Sequence, residues 1–293
     1  MQWTDRQIPL PDGRLVGCSE AGSARGLPAF YFHGFPGSRL DAKFGEEMAR
    51  HLNVRLISLD RPGIGLSQDR PFRTLLDWPD DVAALADALG VDRFSVVGVS
   101  GGAPYALACA VKIPHRLRST GIVCGLGPLD SPGATVGMER VNRLGISLAG
   151  GPPFLMNLVF RFAAFMLRNY PERVVAHLAR KLREPDRAIL EREDVKSLLA
   201  RSFRESVRRG FRGPLQDLRL YAAPWGFRLQ DIRTEVFLWH GRLDVVVPPA
   251  MGEKMAEAIH GCRSRICDDE GHFSILFNRM KEIFHTLIEN SRD

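Results

Sequence analysis

The run Ser95-Val96-Val97-Gly98-Val99-Ser100-Gly101-Gly102-Ala103-Pro104-Tyr105 constrains this chain more than any other. A β-type stretch, Phe94 to Val97, enters a Gly-Val-Ser-Gly-Gly turn, and a helix-type stretch, Pro104 to Val111, leaves it. A strand that passes so abruptly into a helix needs a strained corner, and Ser100 stands at that corner. Gly98 and Gly102 flank it because a β-carbon at either place would collide with the neighbouring strand and helix. This is G-x-S-x-G in a strand–turn–helix setting. It holds a serine hydroxyl out at the top of a sheet, at the positive end of a helix. A glycine-rich β–α turn with an inert serine has the same pattern, so the meaning of Ser100 depends on the rest of the chain.

The rest of the chain reads as alternating strands and helices. Arg6 to Leu10 and Arg14 to Ser19 flank Pro11-Asp12-Gly13 as a hairpin. Ala29 to Phe32 and Val54 to Leu59 are short apolar strands. Helical spacing runs from Asp41 to Leu52 and from Thr74 to Leu89. Leu117 to Cys124, Glu235 to Trp239 and Ser264 to Cys267 are further strands. Helices are expected from Pro249 to Ile259 and from Ser274 to Asn290. Strands this apolar imply a mainly parallel sheet covered on both faces. Active sites on such sheets lie beyond the C-terminal strand ends, where the loops after Phe32, Leu59, Val97 and Leu238 all fall.

From about Asp130 to Ala223 the alternation stops. The region reads as several amphipathic helices broken at Gly150–Pro153, Pro171, Pro185 and Gly213-Pro214. The expected organisation is therefore a core of residues 1–129 and 224–293 with a helical subdomain, 130–223, inserted into it. At 293 residues, 45% of them hydrophobic, the chain is long enough for one large core of this kind. The N-terminal residues are polar and carry no secretory signal. The most apolar region, Leu144 to Leu167, is interrupted by Gly150-Gly151-Pro152-Pro153 and charged at Arg161, which makes a poor membrane span.

Five scattered cysteines, Cys18, Cys109, Cys124, Cys262 and Cys267, form neither a zinc pattern nor a disulfide framework. They read as packing residues in a reducing, cytoplasmic compartment. The net charge of +6 is mostly arginine and is spread along the chain, which argues against a nucleic-acid partner. The dense run Arg201, Arg204, Arg208, Arg209, Arg212 reads as a solvated helix face. Its functional alternative is attraction of an acidic substrate or carrier.

A serine nucleophile needs a base and a group that orients the base. Asp244 follows the apolar strand ending at Trp239, and His272 follows the last strand. The order Ser100…Asp244…His272, with each residue in a strand-end loop, matches a nucleophile, acid and base. Asp130, after the Leu117–Cys124 strand, is the alternative acid. Asp268, Asp269 and Glu270 are too near His272 in sequence to orient its ring. The oxyanion of an acyl intermediate needs two donors. The N–H of Gly101 is one and the N–H of Phe35 the other, since Pro36 has none. His33 and Gly34 support this loop, as Gly98 and Gly102 support the turn. A neutral imidazole is required of the base, so activity is expected to rise through an apparent pKa of about 6–7.

On these residues the chain resembles the α/β-hydrolase superfamily over nearly its whole length. His33-Gly34-Phe35-Pro36-Gly37 is similar to its oxyanion loop, and Asp60-Arg61-Pro62-Gly63-Ile64-Gly65-Leu66-Ser67 to its D-x-x-G-x-G-x-S turn. Gly98 to Gly102 is similar to its elbow, His240 to Asp244 and Gly271-His272 to its acid and base loops. The resemblance implies an eight-stranded, mostly parallel sheet, a helical cap at 130–223, and a hydrolase without cofactor or metal. Epoxide hydrolases and dehalogenases of this superfamily carry Asp at the elbow, where this chain has Ser100. Proline iminopeptidases share His-Gly-x-Pro-Gly but usually follow the serine with Trp, where this chain has Gly101.

The expected activity is hydrolysis of a small or medium apolar carboxylic ester. The apolar residues Phe154, Leu155, Met156, Phe160, Phe162, Phe165 and Met166 would line its pocket. An aminopeptidase or amidase is the second reading, with Glu172, Glu184, Glu191, Glu193, Asp194 or Glu205 holding a substrate ammonium. A thioesterase and a ligand receptor that keeps the triad are further readings. The expected partner is a small molecule, and a homodimer is compatible with the sequence.

Overall fold

The apolar runs pair into one eight-stranded sheet of order β1-β2-β4-β3-β5-β6-β7-β8. The strands are β1 (Thr4–Pro9), β2 (Leu15–Gly22), β3 (Leu27–Phe32), β4 (Val54–Leu59), β5 (Phe94–Val99), β6 (Leu117–Val123), β7 (Val236–Gly241) and β8 (Arg263–Cys267). β1 and β2 are the expected hairpin, and β2 lies antiparallel to β4. Every pairing from β4 to β8 is parallel. The structure, a computed structural model, describes residues 1–129, 134–138, 143–145 and 153–290, with the backbone alone at 153–155.

Successive residues of a strand point to opposite faces, and both faces of this sheet are buried. Phe30, Phe32, Val96, Ile122 and Leu238 enter one cluster. There they pack with Val82 and Leu85 of α2 (Trp78–Ala88), Leu107 of α3 (Ala103–Lys112) and Met255 of α9 (Pro249–Ala258). Their neighbours Ala29, Tyr31, Val97, Val123 and Phe237 enter the other cluster. That one includes Ala49 of α1 (Glu46–His51) and Ile283 and Leu287 of α11 (Met280–Glu289).

Between β6 and β7 the described residues include the helices α4 (Pro153–Asn169), α5 (Pro171–Lys181), α6 (Asp186–Glu191), α7 (Glu193–Ser206) and α8 (Arg212–Ala222). Among the described residues this region holds no strand. Val175, Leu190, Val195, Leu199 and Phe203 form a third apolar cluster there. Val246, Phe273 and Phe277, from the loops and helix after β7 and β8, pack against it, so the helical insertion sits on the C-terminal ends of the strands. Among the described residues no helix is long and apolar enough to cross a membrane.

Three expected helices differ in detail. Residues 41–52 divide into a 3₁₀ stretch, Arg39–Gly45, and α1. The division follows from packing: Gly45 lies against the Phe284 ring, where a β-carbon would be 3.2 Å from it, and Asp41 is turned inward. The Thr74 helix begins as 3₁₀ because Pro79 offers no N–H to a regular first turn. The last helix breaks at Arg279 into α10 (Ser274–Asn278) and α11, and the Arg279 side chain binds Asp269 and Glu270.

Candidate active site

Ser100 follows β5 directly and has φ +53°, in the left-handed region that L-residues avoid. Its neighbours show why the corner is fixed. A β-carbon on Gly102 would lie 2.1 Å from the Phe32 carbonyl oxygen, and one on Gly98 2.6 Å from the Gly102 carbonyl oxygen. The strand and helix therefore approach more closely than any side chain allows. Ser100 is nearly buried, and its carbonyl accepts the Leu126 N–H at 3.0 Å.

Asp244 and His272 come together from the loops after β7 and β8. Asp244 Oδ2 lies 2.7 Å from His272 Nδ1, and Asp244 Oδ1 accepts the N–H groups of Val246 and Val247 at 2.8 Å each. His240 donates from Nε2 to the Val247 carbonyl at 2.9 Å and so braces the acid loop. Burial alone would raise the Asp244 pKa, but His272 and His240 outweigh it and hold the carboxyl at about 2. Burial likewise opposes the imidazolium, and Asp244, with the Cys124 sulfur beside the ring, outweighs it. The His272 pKa stands well above the ordinary 6.5. Asp268, Asp269 and Glu270 are engaged elsewhere, with Arg242 and Arg279. Asp130, the alternative acid, lies outside the described residues.

Asp186, on the first turn of α6, holds the base loop in place. Its carboxylate accepts the N–H groups of His272 at 2.7 Å and of Phe273 and Ser274 at 2.8 Å each. A β-carbon on Gly271 would sit 2.4 Å from its Oδ2, so this glycine makes room for the carboxylate. The sequence reading did not find Asp186. Its only trace in the sequence is that glycine, which has no local signal of its own. Cys124, read as a packing residue, follows β6 directly, lies beside the His272 ring and has φ +42°.

The loop after β3 lies over the turn. A β-carbon on Gly101 would lie 3.1 Å from Phe35 Cβ and 2.7 Å from the Tyr221 hydroxyl. Arg61 clamps the loop from beneath, donating to the carbonyls of His33 (2.5 Å) and Gly34 (3.0 Å). The fully buried Arg61 is paired in turn with Asp217 of α8 at 2.7 Å. Asp217 also takes Arg73 and, at 2.7 Å, the Tyr105 hydroxyl. Burial would raise Asp217, but the two guanidinium groups hold it below the ordinary carboxylate range. Burial and Arg61 together push the His33 imidazole well below its usual pKa. His33 is then neutral and donates from Nδ1 to the Gly34 carbonyl at 2.9 Å.

Three cavities meet at Phe35 and Val246. One, of about 350 Å³, is bordered by Ser100, Gly101, Leu126, Phe160 and Tyr221. A second, of about 130 Å³, is bordered by Ser100 and His272. A third, of about 390 Å³, runs between Phe160, Met166, Leu178 and Phe203. Of the apolar residues expected at a pocket, Phe160 and Met166 line these cavities and Met156 is buried. Phe162 and Phe165 are exposed, because they lie on the outer face of α4. The side chains of Phe154 and Leu155 lie outside the described residues.

Residues 30–279 match the family defined by the alpha/beta hydrolase fold. The chain belongs to the alpha/beta hydrolase family. This alpha/beta hydrolase is 27% identical over 230 residues to a 2-hydroxy-6-oxo-2,4-heptadienoate hydrolase of Pseudomonas putida, covering 78% of this chain and 74% of that one. It is 26% identical over 277 residues to a 2-hydroxymuconate semialdehyde hydrolase of the same species, covering 90% and 86%. Among solved structures it resembles the enol-lactonase from Burkholderia xenovorans LB400, with a TM-score of 0.71 and 16% identity over 98% of this chain and 100% of that one.

Replacing Asp186 by Ala removes the acceptor of three buried N–H groups. The expected loss is about 2–4 kcal/mol in urea unfolding, with a further drop in activity of the folded protein. Unchanged stability and activity would show that the base loop holds itself.

Proposed function

We propose that this alpha/beta hydrolase is a serine hydrolase that cleaves a carboxylic ester of a small or medium apolar substrate. Ser100 is the nucleophile, His272 the general base and Asp244 the residue that orients and charges the base. The observation that carries this reading is the 2.7 Å contact between Asp244 and His272, on an imidazole that borders the same 130 Å³ cavity as Ser100. His272 takes the Ser100 proton as Ser100 Oγ attacks the carbonyl carbon. It returns that proton to the leaving alcohol, then activates water against the acyl-enzyme. The N–H groups of Gly101 and Phe35 receive the oxyanion, each worth about 3–4 kcal/mol in the transition state. The largely apolar lining of the two larger cavities supports an apolar substrate, and the helical insertion, residues 130–223, acts as the cap over it. Such chemistry needs no cofactor. The five cysteines are free thiols, four of them buried, which suits a reducing cytoplasm.

The aminopeptidase reading loses its support, because none of Glu172, Glu184, Glu191, Glu193, Asp194 and Glu205 lines these three cavities. A second reading is favoured by the two Pseudomonas putida relatives, whose names give an oxo-dienoate and a semialdehyde as substrates. In that reading the carbonyl attacked belongs to a ketone or aldehyde rather than an ester.

Purified protein should hydrolyse p-nitrophenyl esters from acetate to octanoate, with Ser100→Ala lowering kcat/KM by about 10⁴-fold or more. Turnover that survives in Ser100→Ala overturns the assignment. An oxo-dienoate in the same panel decides the second reading.

The pH profile tests the base. Because Asp244 stabilises the imidazolium, His272 loses its proton at higher pH than a free histidine. The rising limb of kcat/KM therefore lies above 6.5, alkaline of the value expected from an unperturbed histidine. Asp244→Asn should move that limb toward acid and lower kcat by about 10⁴-fold. A limb that stays in place would contradict Asp244 as its cause.

A further inference from the structure

The 130 Å³ cavity has a third polar wall that the acid–base chemistry above does not use. Asp41, in the 3₁₀ stretch after the oxyanion loop, borders it together with Ser100, His272 and Tyr31. The carboxyl is buried and held from two sides. A β-carbon on Gly37 would be 2.5 Å from its Oδ2, which places it beneath the 34–37 loop. The Gly34 N–H and the Ser202 hydroxyl lie beside it and favour its charged form. Ser202, on α7, is itself fixed by the Ser38 N–H at 3.0 Å and the Ser38 hydroxyl at 2.9 Å. One carboxyl oxygen, Oδ1, is buried and has no hydrogen-bond partner in the protein. A buried polar atom left so is unfavourable unless water satisfies it.

The two cavities at Ser100 are both lined mainly by apolar side chains and differ in the polar groups that border them. The 350 Å³ cavity contains Gly101 and apolar side chains, and neither His272 nor Asp41 borders it. The 130 Å³ cavity contains the base and a carboxyl, with room for several water molecules and the two or more polar partners that each requires. The larger space suits an acyl group and the smaller one suits water.

We propose that the smaller cavity supplies the water of the deacylation step and that Asp41 positions this water against His272. This rests on the acyl-enzyme reading above. In the step, the water oxygen bonds to the acyl carbon and one water proton passes to His272 Nε2. The bond from the acyl carbon to Ser100 Oγ then breaks, and Oγ takes that proton. The second O–H of the water donates to the Asp41 carboxylate throughout, so Asp41 neither gains nor loses a proton. Burial pushes Asp41 up to about 7, with Asp60 adding to it while Ser202 and Arg61 oppose it. The cavity's other titratable groups are His272 and Tyr31, and His33 lies behind the 34–37 loop. Near neutral pH the carboxyl is thus able to meet water as acceptor or donor.

The test is stopped-flow and intact-mass measurement with p-nitrophenyl butyrate on the full chain carrying Asp41→Asn. Expected is a burst of nitrophenolate near one equivalent, then a steady state about 10-fold or more below wild type. A butyryl adduct should accumulate, and hydroxylamine, which attacks without the water site, should restore turnover. A purely structural role slows acylation and deacylation together. A variant with no burst, no adduct and no hydroxylamine rescue therefore overturns the proposal. Ser202→Ala, which removes only one partner of the carboxyl, gives the same signature at smaller size if Asp41→Asn does not fold. Absence of the signature in that variant overturns the proposal equally. Failure of the ester reading itself looks different, because wild type then shows neither turnover nor adduct.

Discussion

Everything at this site is placed relative to one backbone constraint, the positive φ of Ser100. A strand and a helix meet there at a distance that only Gly98 and Gly102 tolerate, and the residue between them must take the strain. Such a conformation persists only because the surrounding structure over-determines it. β5 lies in the middle of the sheet, buried along its whole length, and α3 packs against it. The strain at Ser100 is held by the buried centre of the sheet.

The helical insertion does more than sit on the strand ends. Three of its polar side chains reach the strand-end loops and fix them. Asp217 balances Arg61, which clamps the carbonyls of His33 and Gly34. Asp186 ties down the backbone of the His272 loop. Ser202 binds Ser38 and lies beside Asp41. Two buried arginines on one carboxylate would be costly if left unpaired, so Arg61, Arg73 and Asp217 lock the insertion to the core in a single arrangement. The 33–37 loop, the His272 loop and the small cavity thus depend on the insertion for their shape.

The sheet was legible in the sequence because its strands are short, apolar and bounded by turns. The strand-end placement of Ser100, Asp244 and His272 was legible because each follows such a strand. The 3₁₀ stretch at Arg39–Gly45 was hidden, since helical spacing does not report how tightly a turn is wound. The break at Arg279 was hidden too, because it comes from ion pairs with Asp269 and Glu270 and not from Gly or Pro. Asp186 and Asp217 could not be found, because each acts on residues far away in sequence and neither sits in a motif. Long-range carboxylate contacts leave no local periodicity, which is why the chemistry of the site was easier to read than its support.

Ser100, which the fold holds strained, is the proposed nucleophile. The most direct measurement is labelling of the native protein with a fluorophosphonate, followed by peptide mapping. One equivalent on the peptide carrying Ser100, lost when the protein is unfolded before labelling, is the predicted result. No label on the native protein, or a label on another residue, would contradict it.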